Sequence, residues 1–267
     1  MHSSDLKRLQ DKKLRAFVRY HLYHHHPFYR RMFKREGLDP YNISSVDDLR
    51  KIPLTTKSDV MANPKDFVLQ PERETLAKSL PLSVKFKYLI YDKLLRKPVV
   101  ESSLRNEFYP ILLLGTSGRS VGEPTTVLYT SYDMELLKET AARGAYVAGF
   151  TPNDRGQNMF PYAPHLAFWQ AYLAATAIGM FSIHTGAGMT KRQIAIAQKI
   201  QTTIFSAIPT YLKHFSDVAV DMGVKLPHVR MAVVAGERSP RGLKKKIKDN
   251  FAQLDADIAL KEGYGST

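Results

Sequence analysis

Between Leu114 and Thr125 the chain sets three hydroxyls, Thr116, Ser117 and Ser120, among Gly115, Gly118 and Gly122. Glycine lets backbone amides approach an anion with no side chain in the way, and hydroxyls add donors, so the loop GTSGRSVGEPT has the chemistry to hold a phosphate. Glycine and serine also dominate ordinary turns, and composition leaves both readings open. A Walker loop fits poorly. It ends in Gly-Lys-Ser/Thr and launches a helix, whereas this loop ends in Glu123-Pro124-Thr125 and launches a β-branched run.

The elements around the loop are those of a layered fold. Runs 111–114 and 125–129 read as strands on either side of it, and Met134, Leu137, Ala141, Ala145 and Ala148 then share one helical face. Further strands are expected at 202–207, 229–234 and 257–260, separated by helices near 190–200, 210–222 and 240–251. Ser239 followed by Pro240 predicts a helix opening, a cap and then a proline where no amide hydrogen is missed. This alternation predicts an α/β fold with helices packed on a largely parallel sheet. Upstream, Leu14, Phe17, Val18, His21 and Leu22 recur at helical spacing and Pro27 marks an end. Residues 39–70 read as loops and short helices, and the pattern of LSVKFKYLIYDKLLRKPVV fits strand and helix equally.

Bulk properties limit the chemistry. The chain has 267 residues, 44% of them hydrophobic, enough for one large α/β unit or two small domains. Lysine and arginine outnumber acids 39 to 25, a net +14, which favours anionic partners such as nucleotides, coenzymes, nucleic acid or acidic membranes without choosing among them. The absence of cysteine removes disulfides, thiolate metal sites and a cysteine nucleophile. The N-terminal MHSSDLKRLQDKKLRAF is charged and has no continuous apolar stretch, so the expectation is a soluble, cytoplasmic protein without a membrane segment.

Two tempting clusters carry less than they suggest. His24, His25 and His26 are consecutive, point in different directions on a helix and lack a nearby carboxylate, so a solvated helix end is expected there and no metal site. Lys244, Lys245, Lys246 and Lys248 spread around a helix without forming one stripe, which argues for a solvated face and against a nucleic-acid module.

The loop resembles the phosphate loop of the adenylate-forming (AMP-binding) superfamily, and the PTTVLYT that follows looks like the phenylacetate–CoA ligase branch. The similarity extends along the chain, through PFYRRMFKREGLDPYNISSVDDLRKIPLTTKSDV, GAGMTKRQ, IPTYLKHF, VRMAVVAGERSP and GYGST, in the order of that branch. It implies the incomplete large N-terminal domain of an adenylate-forming enzyme, with 1–110 a helical and irregular segment packed on the core and 111–267 the nucleotide-binding core. It implies ATP phosphates at Thr116, Ser117, Gly118, Ser120 and Gly122, adenine and ribose along Gly236, Glu237 and Arg238, and Tyr264 stacked on adenine beside Gly265 and Ser266. Thr267 would reach the α-phosphate as the catalytic hydroxyl. Tyr162, His165 and Tyr211 are the pocket candidates for the acid; Phe168 and Trp169 are read as core. The alternative for Tyr264 is a packed aromatic at a strand end.

The reaction so implied activates a carboxylate, that of an aryl acid in that branch's manner, as acyl-AMP with ATP and Mg2+, and then transfers it to coenzyme A. Two departures qualify this. The loop is one residue longer than the branch's pattern, with Arg119 and Val121 flanking Ser120, so Arg119 is a further candidate for the phosphates. The glutamate that holds magnesium in relatives, the ribose-binding aspartate and the domain with the catalytic lysine all follow the position of Thr267 and do not occur in this sequence. Little or no ligase activity is therefore expected of this polypeptide alone. A fragment, one subunit of a split enzyme completed by a second chain, a homo-oligomer and a degenerate nucleotide-binding or assembly protein all stay open.

Overall fold

The computed structural model describes residues 2–69, 82–97, 99–115, 126–162 and 164–265. The chain divides into two units, Met1–Pro110 and Ile111–Thr267.

The first unit is helical. Helix α1 (Ser3–Ala16) runs on through a π-helical stretch, Phe17–Leu22, into Tyr23–His25, and α2 (Pro27–Arg35) opens with its proline at the first turn. Pro27 thus ends one helix and starts the next, as its fixed φ and missing N–H allow. Val18, Leu22, Phe33 and Ile43 form the core here. Phe17 does not join them and is 47% exposed, because the π stretch shifts the face that the helical spacing had assigned to it. The expected short helices follow: 3-10 turns at Pro40–Asn42, Val46–Lys51 and Pro64–Phe67, with α3 (Lys57–Ala62) between the last two. The ambiguous stretch is helical, as α4 (Leu82–Tyr88), a π turn Leu89–Leu94 and α5 (Val99–Phe108).

The histidine cluster corrects the solvated reading. His25 is 2% and His26 8% exposed. His26 is the N-cap of α2 and its Nδ1 accepts from Tyr29 N at 3.4 Å, while its ring packs edge-on against Tyr29 and Phe67. The chain leaves helical geometry at His26 (φ −106°, ψ 105°) and restarts as α2 at Pro27, so the ring expected at a wet helix end caps the next helix instead.

The second unit begins with a two-stranded sheet of β1 (Pro110–Gly115) and β2 (Thr126–Thr130). Helix α6 (Ser131–Ala148) starts at a capping box, Thr130 Oγ1 accepting from Asp133 N while Asp133 Oδ2 accepts from Thr130 N. It ends at Gly149 in the left-handed region (φ 93°). Then come β3 (Arg155–Asn158), α7 (Leu166–Ile178), β4 (Phe181–His184), α8 (Thr190–Ile200), β5 (Ile204–Ala207), α9 (Pro209–Asp221), β6 (Met231–Val234), α10 (Arg241–Gln253) and β7 (Ala259–Glu262). These five strands pair in parallel in the order β4-β3-β5-β6-β7.

The sheet is covered on both faces, as parallel sheets require. Strand residues alternate: Phe205, Ala207, Ala232 and Val234 share one core with Ile194, Leu212, Phe215, Ile247 and Phe251 of α8, α9 and α10. Ile204 and Met231 point the other way, to Ala175 of α7 and Met180. Each such fully buried aromatic or branched side chain contributes roughly 2 kcal/mol. The last helix begins one residue later than the sequence suggests. Pro240 is its N-cap and the Ser239 side chain makes no capping bond, while Lys245, Lys246 and Lys248 lie on its exposed face as expected. No helix among the described residues is long and apolar enough to cross a membrane.

Candidate functional site

Strand order locates the site. From β3 the chain moves outward to β4; it then crosses to the other side of β3 and proceeds outward through β5, β6 and β7. The carboxyl ends of β3 and β5 therefore flank a topological switch point, where loops diverge and leave a crevice. The segments leaving that edge are 159–165 after β3, 185–189 after β4, 208–211 after β5, 235–239 after β6 and 263–265 after β7.

The described site candidates all fall on these segments. Tyr162 follows β3 and is exposed, its ring edge-on to Phe168 at 4.9 Å and near Trp169 at 6.4 Å. His165 is the half-buried N-cap residue of α7. Phe168 is buried, as its reading as core required; Trp169 is half-buried and belongs to the same aromatic group as Tyr162. Tyr211 sits in the first turn of α9, started by Pro209, and its hydroxyl donates to Gly188 O at 3.0 Å while facing Thr190 Oγ1 at 3.4 Å. Gly236 takes φ 85° to turn the chain after β6. The next residue, Glu237, accepts from Thr210 Oγ1 at 2.6 Å; Arg238 is exposed beside it.

After β7, Gly263 N donates to Val234 O at 2.8 Å, continuing the ladder beyond the strand. A Cβ there would lie 3.6 Å from Ala235 Cβ, so the two segments run in close contact. Tyr264 is 100% exposed, which overturns its reading as a packed aromatic. Gly265 follows it. Thr116, Ser117, Gly118, Arg119, Ser120 and Gly122, with Ser266 and Thr267, lie outside the described residues.

Comparison with known proteins bears on this arrangement. No family model matches the sequence. It is 24% identical over 255 residues to a phenylacetate–coenzyme A ligase of Thermus thermophilus, covering 95% of this chain and 49% of the relative. The corresponding figures for a phenylacetate–coenzyme A ligase of Escherichia coli are 23% over 258 residues, 95% and 51%. The resemblance to the phenylacetate–CoA ligase branch is borne out. A crystal structure of 2-hydroxyisobutyryl-CoA ligase, an open conformation in complex with 2-HIB-AMP and CoA, shares the fold of this ligase-like chain with a TM-score of 0.71. The match covers 97% of this chain and 53% of that one at 20% identity. This chain spans about half the length of the curated relatives it matches.

The same edge also contains residues to which the sequence pattern assigns no part in the site. Asn158, at the end of β3, is buried; its Oδ1 accepts from Phe160 N at 3.1 Å, which fixes the amide so that Nδ2 donates to Phe168 O and to His184 Nδ1. The proton of His184 then sits on Nε2, within 3.1 Å of Ser182 Oγ. Burial pushes the His184 imidazole below its usual range, so it acts as a neutral strut joining β4 to β3. Gln157 and Gln193 are likewise buried and bonded to each other. Polar residues in a parallel strand give no periodic signal, and only the pairing partners of RGQN reveal it as a strand.

Proposed function

We propose that this chain is the N-terminal part of an ATP-dependent acid–CoA ligase that activates a small carboxylate, an aryl acid in the manner of its phenylacetate-named relatives, as acyl-AMP. The observation that carries the reading is the placement of Tyr162, Tyr211, Gly236–Arg238 and an uncovered Tyr264 along one carboxyl edge of the sheet, running outward from the switch point. Adenine is a flat ring that the free Tyr264 face can cover, with the left-handed turn at Gly236 beside it. The acid would lie against Tyr162 and Tyr211, with His165 at the same edge.

In the reaction the carboxylate oxygen attacks the α-phosphorus of ATP and the bond to pyrophosphate breaks; the thiol of coenzyme A then attacks the acyl carbon and AMP leaves. Thr116, Ser117, Gly118, Arg119, Ser120 and Gly122 are proposed to hold the phosphates, and Thr267 to donate its hydroxyl to the α-phosphate, where negative charge grows. No group of three His, Cys, Asp or Glu side chains able to hold a metal occurs among the described residues. The half of the relatives' length that this chain does not span, in a longer polypeptide or a second chain, is proposed to complete the transition-state stabilisation.

The test is acid-dependent exchange of pyrophosphate into ATP, measured with this chain alone and with the remaining portion of a ligase supplied. Exchange in the completed protein and little or none from the chain alone is the expected result. Nucleotide binding with no exchange in either would favour a non-catalytic nucleotide-binding protein, and stabilisation by nucleic acid without any response to ATP would sink both readings.

A further inference from the structure

The motif GAGMTKRQ contributes a residue to which the proposed chemistry gives no task. Gln193, in the first turn of α8, is 3% exposed, and its side chain is fully engaged. Nε2 donates to Gly186 O at 2.8 Å and to Gly188 O at 2.6 Å. Oε1 accepts from Thr185 Oγ1 at 3.0 Å, and Gln157 Nε2 reaches the Gln193 backbone oxygen at 3.2 Å. Thr202 Oγ1 in turn donates to Gln157 Oε1.

The carbonyls that Gln193 gathers belong to a turn whose start is pinned to β3, Thr185 N and Gly186 N both donating to Asn158 O at 3.0 and 3.2 Å, and whose Gly188 end Gln193 holds. Gly186, Gly188 and Met189 all have positive φ, of 69°, 99° and 50°, a conformation that costs a non-glycine residue on the order of 1 kcal/mol or more. Both proposed acid-pocket tyrosines rest on this turn. Tyr211 donates its hydroxyl to Gly188 O, the same oxygen that Gln193 holds. Gly186 lies against Tyr162, so that a Cβ at 186 would sit 3.6 Å from both Tyr162 Cβ and Tyr162 N.

We infer that Gln193 is a positioning residue of the acid pocket: its buried amide braces the 186–189 turn, which Gly186 N also ties to Asn158 O, and through that turn fixes Tyr162 after β3 and Tyr211 of α9 relative to each other. It touches neither reactant. The inference rests on the proposed function, because it assigns a pocket to those tyrosines, and it separates acid binding from nucleotide binding, since no bond of Gln193 reaches the 235–239 or 263–265 segments.

Trp169 is the chain's single tryptophan and lies 6.4 Å from Tyr162, so its fluorescence reports on the pocket. Phenylacetate is titrated into wild type, Gln193→Met, Gln193→Glu and Thr185→Val, with ATP affinity measured in parallel by calorimetry. Gln193→Met keeps length and loses both donors; phenylacetate affinity is expected to fall about tenfold and ATP affinity to stay within about twofold. Thr185→Val, which removes one anchor and serves if the first variant fails to fold, is expected to weaken phenylacetate about threefold. Gln193→Glu at pH 8 should bind phenylacetate poorly and recover toward pH 5.5, because the protonated acid regains an O–H for Gly188 O while wild type shows no such recovery. Unchanged phenylacetate affinity in folded variants, or equal losses for both ligands together with a lowered melting temperature, overturns the inference alone. A wild type that binds ATP but gives no response to phenylacetate or any other carboxylate overturns the acid pocket itself.

Discussion

Thr210 Oγ1 donates to Glu237 Oε2 at 2.6 Å, which ties the first turn of α9 to the turn after β6 and so joins the segment carrying Tyr211 to the one proposed to line adenine. The same carboxylate oxygen receives Thr210 N at 3.4 Å, so a negative charge rests at the positive end of α9. Thr210→Val is expected to lower stability by about 1 kcal/mol and to weaken ATP binding severalfold through the released turn. Urea unfolding and calorimetry of the same samples check it; unchanged ATP affinity would mean that the link is only structural.

That link was half visible in the sequence. PTY and AGER each stand out as turn-and-opening segments after β-branched runs; β7 (ALKE) is largely exposed at the sheet's edge, but β5 and β6 were legible because Ile204, Phe205, Val233 and Val234 form short apolar runs that the sheet buries. Their juxtaposition was not, since it depends on β3 slotting between β4 and β5. β3 is RGQN, with no apolar alternation, and it exists because Gln157 and Asn158 find buried partners in α7, α8 and β4. Likewise the His25–His26 burial accompanies the helix break at His26 and the packing of His26 against Tyr29 and Phe67, which no helical periodicity encodes. The helices of the second unit were the easier part, since Leu137, Ala141 and Ala145 share one buried face of α6, although the cap expected at Ser239 was not made.

Asp154 shows how acid should attack the second unit. It is 4% exposed and is held by Arg230 Nε at 2.8 Å and Nη2 at 2.5 Å, with Thr151 and Thr203 donating as well. Burial pulls its pKa upward, yet the Arg230 bond and the threonine and backbone donors together bring it down to about 2. A depressed carboxylate contributes stability that is present above its unfolded pKa near 4 and is lost as pH falls toward 2. The contribution is about 2 kcal/mol. Asp154→Asn should cost about 3 kcal/mol at pH 7, since Arg230 loses its partner, and should flatten the stability profile between pH 4 and pH 2. Fluorescence-monitored unfolding at Trp169 across that range measures both.

His26 gives the first unit a separate sensitivity. Burial pushes its imidazole down to about 4, against the opposite pull of Asp66. Stability tied to the neutral ring is present above its unfolded pKa near 6.5 and is lost as pH falls through 4, a loss of roughly 3 kcal/mol. His26→Asn keeps an N-cap acceptor and removes the titration. Hydrogen exchange over residues 18–33 should accelerate from pH 6.5 to pH 4, beyond the intrinsic trend, in wild type and not in the variant.

Tyr264 offers the sharpest separation of binding from folding. Its side chain is wholly exposed, so Tyr264→Ala removes no buried surface and should leave the melting temperature within about 1 °C. If its ring covers adenine, the same change should weaken ATP and AMP alike, by about tenfold, while phenylacetate binding at the Tyr162 side is unaltered. Tyr264→Phe should restore nucleotide affinity, because a stacked ring needs its face and not its hydroxyl. Equal affinities for wild type and Tyr264→Ala would place the base elsewhere along the edge and leave the exposed tyrosine without a part in nucleotide recognition.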